Sequence, residues 1–419
     1  MNEDLFYKCS EINDYLIDGD EPKARDLLIQ LLDYVGRNNI QYFPLLNSLI
    51  REVGLYPYMD VNSSEWEDAF VYNLFRADIG LNEEKVLHRE QFRLLSSLLA
   101  GKNIAVSAPT SFGKSFVIDA FIKLRKPRNV AIIVPTIALT DETRRRIYKK
   151  FANEYNIITT TDIPLAERNI FIFPQERALC YVNKIDSLDI LIVDEFYKSS
   201  KDFEKERSAS LIKAIIKLGQ IAKQKYYLAP NITKIEDNQF TKDMEFMKMD
   251  FNTVFLKVTD YYPQIGTDTQ KKGEYFLNLN RTLKGKTLIY AGSFSNITSL
   301  SNLILETSPK IDSVLLNDFS DWLGKNYDYN WNLTLLAKRG VGVHNGSLHR
   351  SLSQIQIKLF EENEGLNRLI STSSIIEGVN TSAENVIVWM TSGRGLQFSN
   401  FASLLSGEIL PQRKLSRTV

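Results

Sequence analysis

The sequence predicts an α/β protein in which a small helical domain precedes two units built on parallel sheets. Three observations support this fold class: an N-terminal stretch with helical periodicity, and after it two series of short, wholly apolar runs that alternate with helical patterns. Runs that are apolar throughout indicate strands covered on both faces, as in parallel sheets with helices on either side. The length of 419 residues suits two or three domains.

Changes of pattern along the chain set the predicted domain boundaries. From Asp4 to about Leu55 the apolar residues recur at helical spacing, with Pro22 just inside a helix start and Gly36 just past a helix end, which predicts a helical domain at 1–82. Such a stripe is typical of an ordinary core, so we assign this domain no chemistry. The remaining segments are a first α/β unit at 83–258, a polar linker at 259–274 and a second α/β unit at 275–419.

Short apolar runs are the predicted strands of the two units. Those of the first unit are 103–107, 130–134, 170–173, 190–193 and 226–228. Those of the second unit are 286–291, 313–316, 341–344, 368–371 and 385–390. Helical patterns separate them, and this alternation predicts parallel strands joined by crossover helices.

The composition excludes several classes of protein. Lys+Arg and Asp+Glu both number 51, so no overall basic field draws the chain to nucleic acid or to an anionic membrane, and any such contact must be local. Cys9 and Cys180 are the only cysteines, which excludes a disulfide framework and a cysteine-based zinc site. The charged N-terminus has no signal-peptide pattern and no apolar run reaches the roughly 20 residues of a membrane span, so we expect a cytoplasmic protein without membrane contact.

The strongest motif is SAPTSFGKS at residues 107–115, between a predicted strand and a helical pattern. A tight loop and a helix N-terminus turn backbone N–H groups toward phosphate oxygens, the lysine adds a compact positive charge, and the last hydroxyl suits Mg²⁺. The motif predicts ATP and Mg²⁺ binding, against the alternative of a fortuitous Gly-Lys-Ser turn. The residues expected to hold the nucleotide are Ala108, Pro109, Thr110, Ser111, Phe112, Gly113, Lys114 and Ser115.

A second motif strengthens this prediction. The apolar run 190–193 ends in Asp194 and Glu195. At the carboxyl end of a strand in the same sheet, Asp194 would hold Mg²⁺ together with Ser115, and Glu195 would orient or deprotonate the attacking water. We therefore expect Lys114, Asp194 and Glu195 to be catalytic. On its own, such a pair of acids would be two ordinary capping residues.

Taken in order, these and later motifs make the chain after residue 83 resemble the superfamily-two DExD/H-box helicases, closest to the Ski-like and Lhr-like branch. The resemblance implies two RecA-like lobes with ATP bound between them. The phosphate loop of this family commonly begins with alanine, so Ala108 fits the pattern. Gln91 stands where the family has a glutamine that reads the adenine edge, and Gly378 and Asn380 fall in a Gly-Val-Asn segment that faces ATP.

The resemblance also implies contacts to a nucleic-acid strand. Thr136 lies in a segment similar to the first strand-contacting motif, Arg177 in one similar to the TPE[KR] element, and Thr372 in one similar to the ATET-xxx-GVN motif. Ile137 replaces the usual Arg or Lys, so the first contact would depend on backbone amides or on the arginines at 144–146. Such contacts read phosphates and carry no sequence information.

Some positions depart from the family pattern. Tyr197 takes the fourth place of the Asp-Glu-Phe-Tyr segment, where the family has Asp or His. Residues 228–231 stand in the place of the Ser-Ala-Thr motif, and they either couple hydrolysis to movement or form an ordinary strand-to-turn junction. His344 falls in a segment similar to VHHAGL. It has no accompanying carboxylate or cysteine cluster, which favours a hydrogen-bonded structural role over a metal ligand.

The sixth motif of the family, a Gly-Arg-x-Gly-Arg helix whose arginines reach the γ-phosphate, is absent from the sequence. Residues 398–407 resemble its lead-in, but 408–411 then read Glu-Ile-Leu-Pro, and Gly393-Arg394-Gly395 precedes the lead-in. Such arginines contribute about 10³–10⁵ in rate in other nucleotide hydrolases. We expect the family-like reading frame to end at Gly407, the second lobe to be incomplete, and hydrolysis to be weak while ATP binding persists.

The resemblance implies an ATP- and Mg²⁺-dependent helicase or translocase acting on nucleic acid, with DNA favoured over RNA. The helical domain and the overall pattern also resemble helicase subunits of Hachiman-type antiphage systems, which implies a defence role and a nuclease partner. Two alternatives stay open: a motor that moves on duplex DNA without unwinding it, and a truncated module that binds nucleotide or nucleic acid without turnover. A metabolic P-loop kinase is disfavoured because the second unit has its own motif series.

Overall fold

A computed structural model describes residues 3–81, 84–109, 112–200, 205–230, 232–372, 382–390 and 416–418. They form two compact units that divide between residues 253 and 254, with the last three described residues in the second unit. The mixed α/β architecture with parallel sheets behind a helical region confirms the predicted fold class.

The N-terminal region is helical, as predicted. Its helices are α1 (Glu3–Ile17), α2 (Glu21–Arg37), α3 (Pro44–Val53) and α4 (Trp66–Leu74). Asp20 caps α2 by accepting a hydrogen bond from the Lys23 backbone N–H at 3.2 Å, and Pro22 lies in the first turn, as expected. The position predicted for Gly36 was wrong, since α2 includes it and ends one residue later. The apolar faces of these helices pack on one another, and Leu28, Val35 and Ile50 are fully buried.

A parallel sheet organises the rest of the first unit. Its described strands have the order β5–β6–β4–β7–β8–β3–β9, beside a small antiparallel pair, β1 (Arg76–Asp78) and β2 (Glu84–Val86). The strands are β3 (Ile104–Ser107), β4 (Asn129–Ile133), β5 (Asn156–Ile158), β6 (Asn169–Phe173), β7 (Ile190–Val193), β8 (Lys225–Ala229) and β9 (Glu245–Lys248). The helices are α5 (Arg89–Leu99), α6 (Lys114–Arg125), α7 (Ile137–Phe151), α8 (Gln175–Tyr181) and α9 (Lys205–Ile221).

All five strands predicted for this unit are confirmed. They are β3, β4, β6, β7 and β8, which are buried along almost their whole length. Edge strands β5 and β9 were not predicted. They are short and partly exposed, so their sequences lack the continuous apolar run of a central strand.

The second unit is also built on a parallel sheet, with the strand order β10–β15–β14–β11–β13–β12. Its strands are β10 (Phe255–Lys257), β11 (Thr287–Tyr290), β12 (Val341–His344), β13 (Arg368–Ser371), β14 (Asn385–Val388) and β15 (Ser416–Thr418). Its helices are α10 (Tyr262–Ile265), α11 (Thr269–Thr282), α12 (Phe294–Thr307), α13 (Val314–Asn326), α14 (Asn332–Ala337) and α15 (Arg350–Glu361). Strands β11 to β14 confirm four predicted strands and surround an apolar core.

Two interpretations of this unit need correction. The predicted strand at 313–316 is wrong, because Ser313 caps α13 and its hydroxyl accepts a hydrogen bond from the Leu316 N–H at 3.3 Å. A short apolar run does not distinguish a strand from a helix start by itself. The polar stretch 259–274 contains α10 and the beginning of α11, so its polar side chains belong largely to exposed helix faces.

Within the described ranges, no helix is both long enough and apolar enough to cross a bilayer.

Candidate nucleotide-binding site

The strand order of the first unit brings its two chemical motifs to one edge of the sheet. Strand β3 leads into the phosphate loop, β7 ends at Asp194, and β8 lies between them. All three are parallel, so their carboxyl ends meet at the same edge, where ligands of open α/β sheets bind. The Ala108 N–H donates to the Ala229 carbonyl at 3.0 Å, which ties the start of the loop to the end of β8.

Gly113 closes the described part of the phosphate loop. It has φ +72° and precedes the first residue of α6, Lys114, so the chain turns from loop to helix through a left-handed residue. A Cβ at Gly113 would lie 2.7 Å from Gln91 Nε2 and 3.0 Å from the Phe116 ring. Phe112 is fully buried beneath the loop. Ala108 and Pro109 begin the loop, whereas Thr110 and Ser111 lie outside the described residues.

Lys114 has the electrostatic signature of a phosphate ligand. Its Nζ is buried and has no hydrogen-bond partner among the residues that the structure describes. A buried ammonium without a partner is costly, and an anion that accepts its hydrogen bonds would remove that cost. Ser115 follows in the first turn of α6, where the helix dipole also favours negative charge. These residues therefore fit the phosphate chain of ATP.

Asp194 and Glu195 leave β7 in a strained turn. Glu195 has φ +54°, a left-handed conformation that is uncommon for a residue with a side chain, and its N–H donates to Asp194 Oδ1 at 3.0 Å. Burial and then the Glu195 charge raise the pKa of the Asp194 carboxyl to about 6, while Lys114 and Arg146 oppose that rise. A divalent cation beside this carboxylate would favour its ionised form further. The site thus combines a cation ligand with a neighbouring base.

The Gln91 side chain is held by hydrogen bonds at both ends of its amide group. The side chain is only 4% exposed, its Nε2 donates to the Phe112 carbonyl at 2.6 Å, and its Oε1 accepts from the His88 N–H at 2.8 Å. The amide therefore anchors the phosphate loop to the start of α5. Its reading of adenine stays a prediction.

A buried charge cluster behind the loop was not predicted. Asp119, on α6, is fully buried and forms ion pairs with Arg146 and Lys150 of α7, the second with an N–O distance of 2.7 Å. Arg146 Nη1 also donates to the Ser115 carbonyl at 3.3 Å. Of the three arginines considered for strand contacts, Arg146 thus faces the nucleotide loop. The signal in the sequence is an aspartate within a buried helix face, which requires a cationic partner.

The predicted strand-contacting residues occupy helix and strand ends. The Thr136 hydroxyl caps α7 by accepting from the Leu139 N–H at 3.2 Å. Arg177 is half-buried, and its Nη1 donates to the Thr159 carbonyl at 2.6 Å, which leaves its other N–H groups for further contacts. Thr372 follows β13 in the second unit, where its N–H donates to the His344 carbonyl at 3.3 Å. Gly378 and Asn380 lie outside the described residues.

The segment after β8 is bonded directly to the base of the phosphate loop. The Ser107 hydroxyl accepts from the Ile232 N–H at 2.9 Å, in addition to the Ala108 bond to β8. Both interpretations of residues 228–231 stay predictions, and Asn231 lies outside the described residues. Sequence reasoning also missed Tyr226 on β8. Burial and then the Asp194 charge raise its pKa, and its hydroxyl lacks a partner within the described part of the chain.

Two protein-family models match this arrangement. The model described as the anti-bacteriophage protein B N-terminal domain matches residues 1–69, and the DEAD/DEAH box helicase model matches residues 88–228. The second match spans the phosphate loop, Asp194, Glu195 and the strands that hold them. Within the first unit, residues 88–228 thus match a DEAD/DEAH box helicase domain, and residues 1–69 match an N-terminal domain of the anti-bacteriophage protein B type.

The chain is also similar to one particular protein, anti-bacteriophage protein B of Escherichia coli (strain K12). The two are 30% identical over 383 residues, which cover 87% of this chain and 51% of that protein. The chain thus spans about half the length of this curated relative. The predicted resemblance to a DExD/H-box helicase of an antiphage system is confirmed.

Proposed function

We propose that this chain is a nucleic-acid-stimulated ATP hydrolase, the motor of an antiphage defence system. The observation that carries the proposal is the buried Lys114 ammonium, which lacks a hydrogen-bond partner among the described residues and lies at the sheet edge that also presents Asp194 and Glu195. One positive charge and two acids at that edge suit a phosphate chain with its cation and its attacking water.

Each residue has a role that follows from its position. Lys114 and the N–H groups at the start of α6 would bind the phosphate chain, and Ser115 and Asp194 would hold Mg²⁺. The bound ion neutralises the charge that develops on the phosphates. Glu195 would accept a proton from the attacking water, since its carboxylate follows Asp194 directly. The Gln91 amide would keep the loop in register with α5.

Nucleic acid would be held through its phosphates. In the first unit, contacts would come from Thr136, at the N-terminus of α7, and from the Arg177 N–H groups that have no hydrogen-bond partner among the described residues. In the second unit, Thr372 would contact nucleic acid. DNA is the favoured substrate and RNA the alternative. A nuclease partner would use the motor to reach or process phage DNA, in line with the antiphage name of the similar Escherichia coli protein.

ATP hydrolysis by the purified chain tests the enzymatic part of the proposal. It should be measured alone, with single-stranded DNA, with single-stranded RNA and with blunt duplex DNA. We expect stimulation by a single strand, and Glu195→Gln should lower the stimulated rate about 10²–10⁴-fold while nucleotide binding persists. Lys114→Ala should lower both the rate and the affinity for nucleotide.

Matched control variants separate chemistry from surface effects. Lys102 and Glu245 form an exposed ion pair at 3.0 Å, so Lys102→Ala and Glu245→Gln should leave the rate within about twofold.

Equal stimulation by blunt duplex would favour a duplex translocase. Nucleotide binding without turnover under any condition would contradict the hydrolase and leave a binding module.

A plaque assay tests the defence role. Bacteria that express the wild-type chain with its neighbouring genes should plate phage less efficiently than bacteria that express Lys114→Ala, and Lys102→Ala should protect like wild type. Equal plating on all three strains would contradict a role in defence and leave the hydrolase assay unaffected.

A further inference from the structure

We propose that the N-terminal domain sets the nucleotide affinity of the helicase domain, with Arg25 and Arg89 as positioning residues for Gln91 and the phosphate loop. The inference rests on the proposed ATP binding. It assigns a role to a domain for which the sequence indicated no chemistry. All the contacts that support it lie within the first unit.

Arg25 begins the connection. It lies on α2, is 4% exposed, and its Nη2 donates to the Asp250 carbonyl at 2.7 Å, just after edge strand β9. Its guanidinium carbon lies 4.5 Å from the centre of the Phe251 ring, within the range of a cation–π interaction. Its Nε has no hydrogen-bond partner among the described residues. The Arg25 guanidinium therefore holds α2 to the segment after β9 through one hydrogen bond and one contact with an aromatic ring.

Aromatic contacts continue the connection to the start of α5. The Phe251 ring lies 5.5 Å from the His88 ring, which lies 5.8 Å from the Tyr58 ring. His88 is the residue before α5, and its N–H donates to Gln91 Oε1. Gln91 in turn donates to the Phe112 carbonyl within the phosphate loop. Each contact is direct, so a displacement of Phe251 changes the position of the amide that holds the loop.

Arg89 fixes the same helix start from another side. Its Nη2 pairs with Glu21 Oε2 of α2 at 2.5 Å, and its Nη1 donates to the Glu52 carbonyl of α3 at 3.1 Å. Its backbone N–H donates to the Gly54 carbonyl at 3.1 Å. Gly54 has φ +82°, and a Cβ there would lie 2.7 Å from Arg89 Cβ, so the close approach depends on glycine. Two helices of the N-terminal domain therefore hold the first turn of α5.

The expected consequence is a change in binding, not in the chemical step. Gln91 contacts the loop that precedes Lys114, whereas Asp194 and Glu195 follow β7, and the chain of contacts from Arg25 and Arg89 ends at that loop. Substitutions that remove the contacts of Arg25 or Arg89 should therefore weaken nucleotide binding and leave kcat for ATP hydrolysis nearly unchanged. A domain that only stabilised the fold would lower the melting temperature without this selective effect.

The test compares variants of the full chain by titration with a fluorescent ATP analogue, by KM and kcat for ATP, and by melting temperature without nucleotide. Arg25→Met keeps the side-chain length and removes the charge and the hydrogen bond. We expect its Kd and KM to rise about 5–20-fold with kcat within about threefold. Arg25→Lys should recover part of the affinity. The matched control is Arg37→Met on the same helix, whose side chain is 56% exposed, and it should behave like wild type.

A double-mutant cycle shows whether the effect passes through Gln91. Gln91→Met should raise Kd by itself, and adding Arg25→Met should then change Kd less than about twofold. Glu21→Gln, which removes an exposed partner of Arg89, should fold normally and raise Kd about two- to threefold. It supplies the test if Arg25→Met does not fold.

Two results would overturn the inference. One is a wild-type Kd in both Arg25→Met and Glu21→Gln, whatever their melting temperatures. The other is a pair of effects from Arg25→Met and Gln91→Met that multiply independently. Both differ from failure of the proposed function itself, in which the wild-type chain would bind no nucleotide at all.

Discussion

Asp194 and Lys114 are groups of opposite charge. Burying each of them has an energetic cost that one ligand would remove. The Asp194 carboxyl has a raised pKa because it is buried beside Glu195, and the buried Lys114 Nζ has no hydrogen-bond partner in the described structure. A cation bound to the first and a phosphate bound to the second would stabilise both charged forms. The residues are thus arranged for a pair of charges that arrive together, as Mg²⁺ and ATP do.

His88 gives a prediction about pH. Burial lowers the pKa of its imidazole from 6.5 to about 3. Between those values the unfolded chain binds a proton that the native chain does not, so stability is full above about pH 6.5 and falls as the pH decreases toward about 3. His88→Gln should remove this component. Its urea-unfolding midpoint should therefore fall less than that of wild type between about pH 7 and pH 5.

The control for this prediction is His349→Gln, because His349 is exposed. Its midpoint should follow the wild-type pH dependence. If the His88 variant lost stability in parallel with wild type over the same interval, the neutral state of the buried imidazole would not account for any of the acid sensitivity.

The sequence predicted residues whose roles depend on local spacing. Lys114 and Ser115 follow from one loop motif, and Asp194 and Glu195 follow from the strand that they end. The bond from Gln91 to the Phe112 carbonyl could not be predicted, because the two residues are 21 positions apart. Arg146 was considered for strand contacts, and only the fold shows that it faces Asp119.

At the scale of elements, the turn from the loop into α6 depends on Gly113. Alanine there would meet Gln91 Nε2 at 2.7 Å and would need a positive φ, so Gly113→Ala should weaken nucleotide binding at least tenfold. The control is Gly101→Ala. Its φ of +81° is also positive, but no atom lies within 4 Å of the added Cβ, so it should cost only about 1 kcal/mol of stability. Isothermal titration with ATP and thermal unfolding measure the two effects. Equal nucleotide affinity in both variants would contradict the packing argument.

Helix α6 forms ion pairs of very different burial, through Asp119 with two residues of α7 and through Lys123 with Glu154 just after α7. Asp119→Asn would leave Arg146 and Lys150 without their buried carboxylate, and removing one partner of a buried pair costs about 3–5 kcal/mol. Lys123→Met breaks the more exposed pair between Lys123 and Glu154 and should cost about 1 kcal/mol or less. Chemical unfolding of both variants measures the difference. A similar loss in each would mean that Asp119 contributes no more than a surface pair.

Elements were predictable where periodicity was strong and long. The central strands of both sheets and the helices of the N-terminal region match the expectations. The segment at 313–316 was assigned to a strand because Val314, Leu315 and Leu316 form an apolar run, although Ser313 before them is a good N-cap. Strands β5 and β9 lie at the edges of the sheet. Edge strands do not need the continuous apolar run of a central strand, so the sequence does not predict them.

At the scale of the molecule, the net charge of zero conceals a division. Residues 1–82 carry 15 acidic and 6 basic side chains, a net charge of −9, and the rest of the chain carries 36 acidic and 45 basic ones, a net charge of +9. Nucleic acid is therefore repelled by the N-terminal domain and attracted by the remainder. This division agrees with a role for the N-terminal domain toward the nucleotide loop.

The charge division predicts how salt affects nucleic-acid binding. The slope of log affinity against log salt counts the phosphates that the protein neutralises. Neutralising together three exposed acids of α1 and the turn that follows it (Glu11→Gln, Asp14→Asn, Asp18→Asn) should leave this slope unchanged, whereas Arg177→Gln should reduce it by about 1. Fluorescence anisotropy of a labelled single strand between about 50 and 200 mM salt measures the slopes. A changed slope in the triple variant would place α1 in contact with nucleic acid.

The whole-molecule fold class was predictable because apolar runs and helical patterns alternate throughout. The attachment of the N-terminal domain to α5 and to the segment after β9 was not. It depends on Arg25, Gly54 and Phe251, which are far apart in the sequence and have no motif of their own. Only the folded chain brings them together.

The bond between Arg25 and the Asp250 carbonyl also constrains how the protein folds during synthesis. The two residues are 225 positions apart, and translation at about 5–20 residues per second separates them by roughly 10–45 s. Until the segment after β9 leaves the ribosome, the Arg25 guanidinium of α2 lacks the Asp250 carbonyl to which it donates in the folded chain. The N-terminal domain is therefore among the last parts of the first unit to reach its final position.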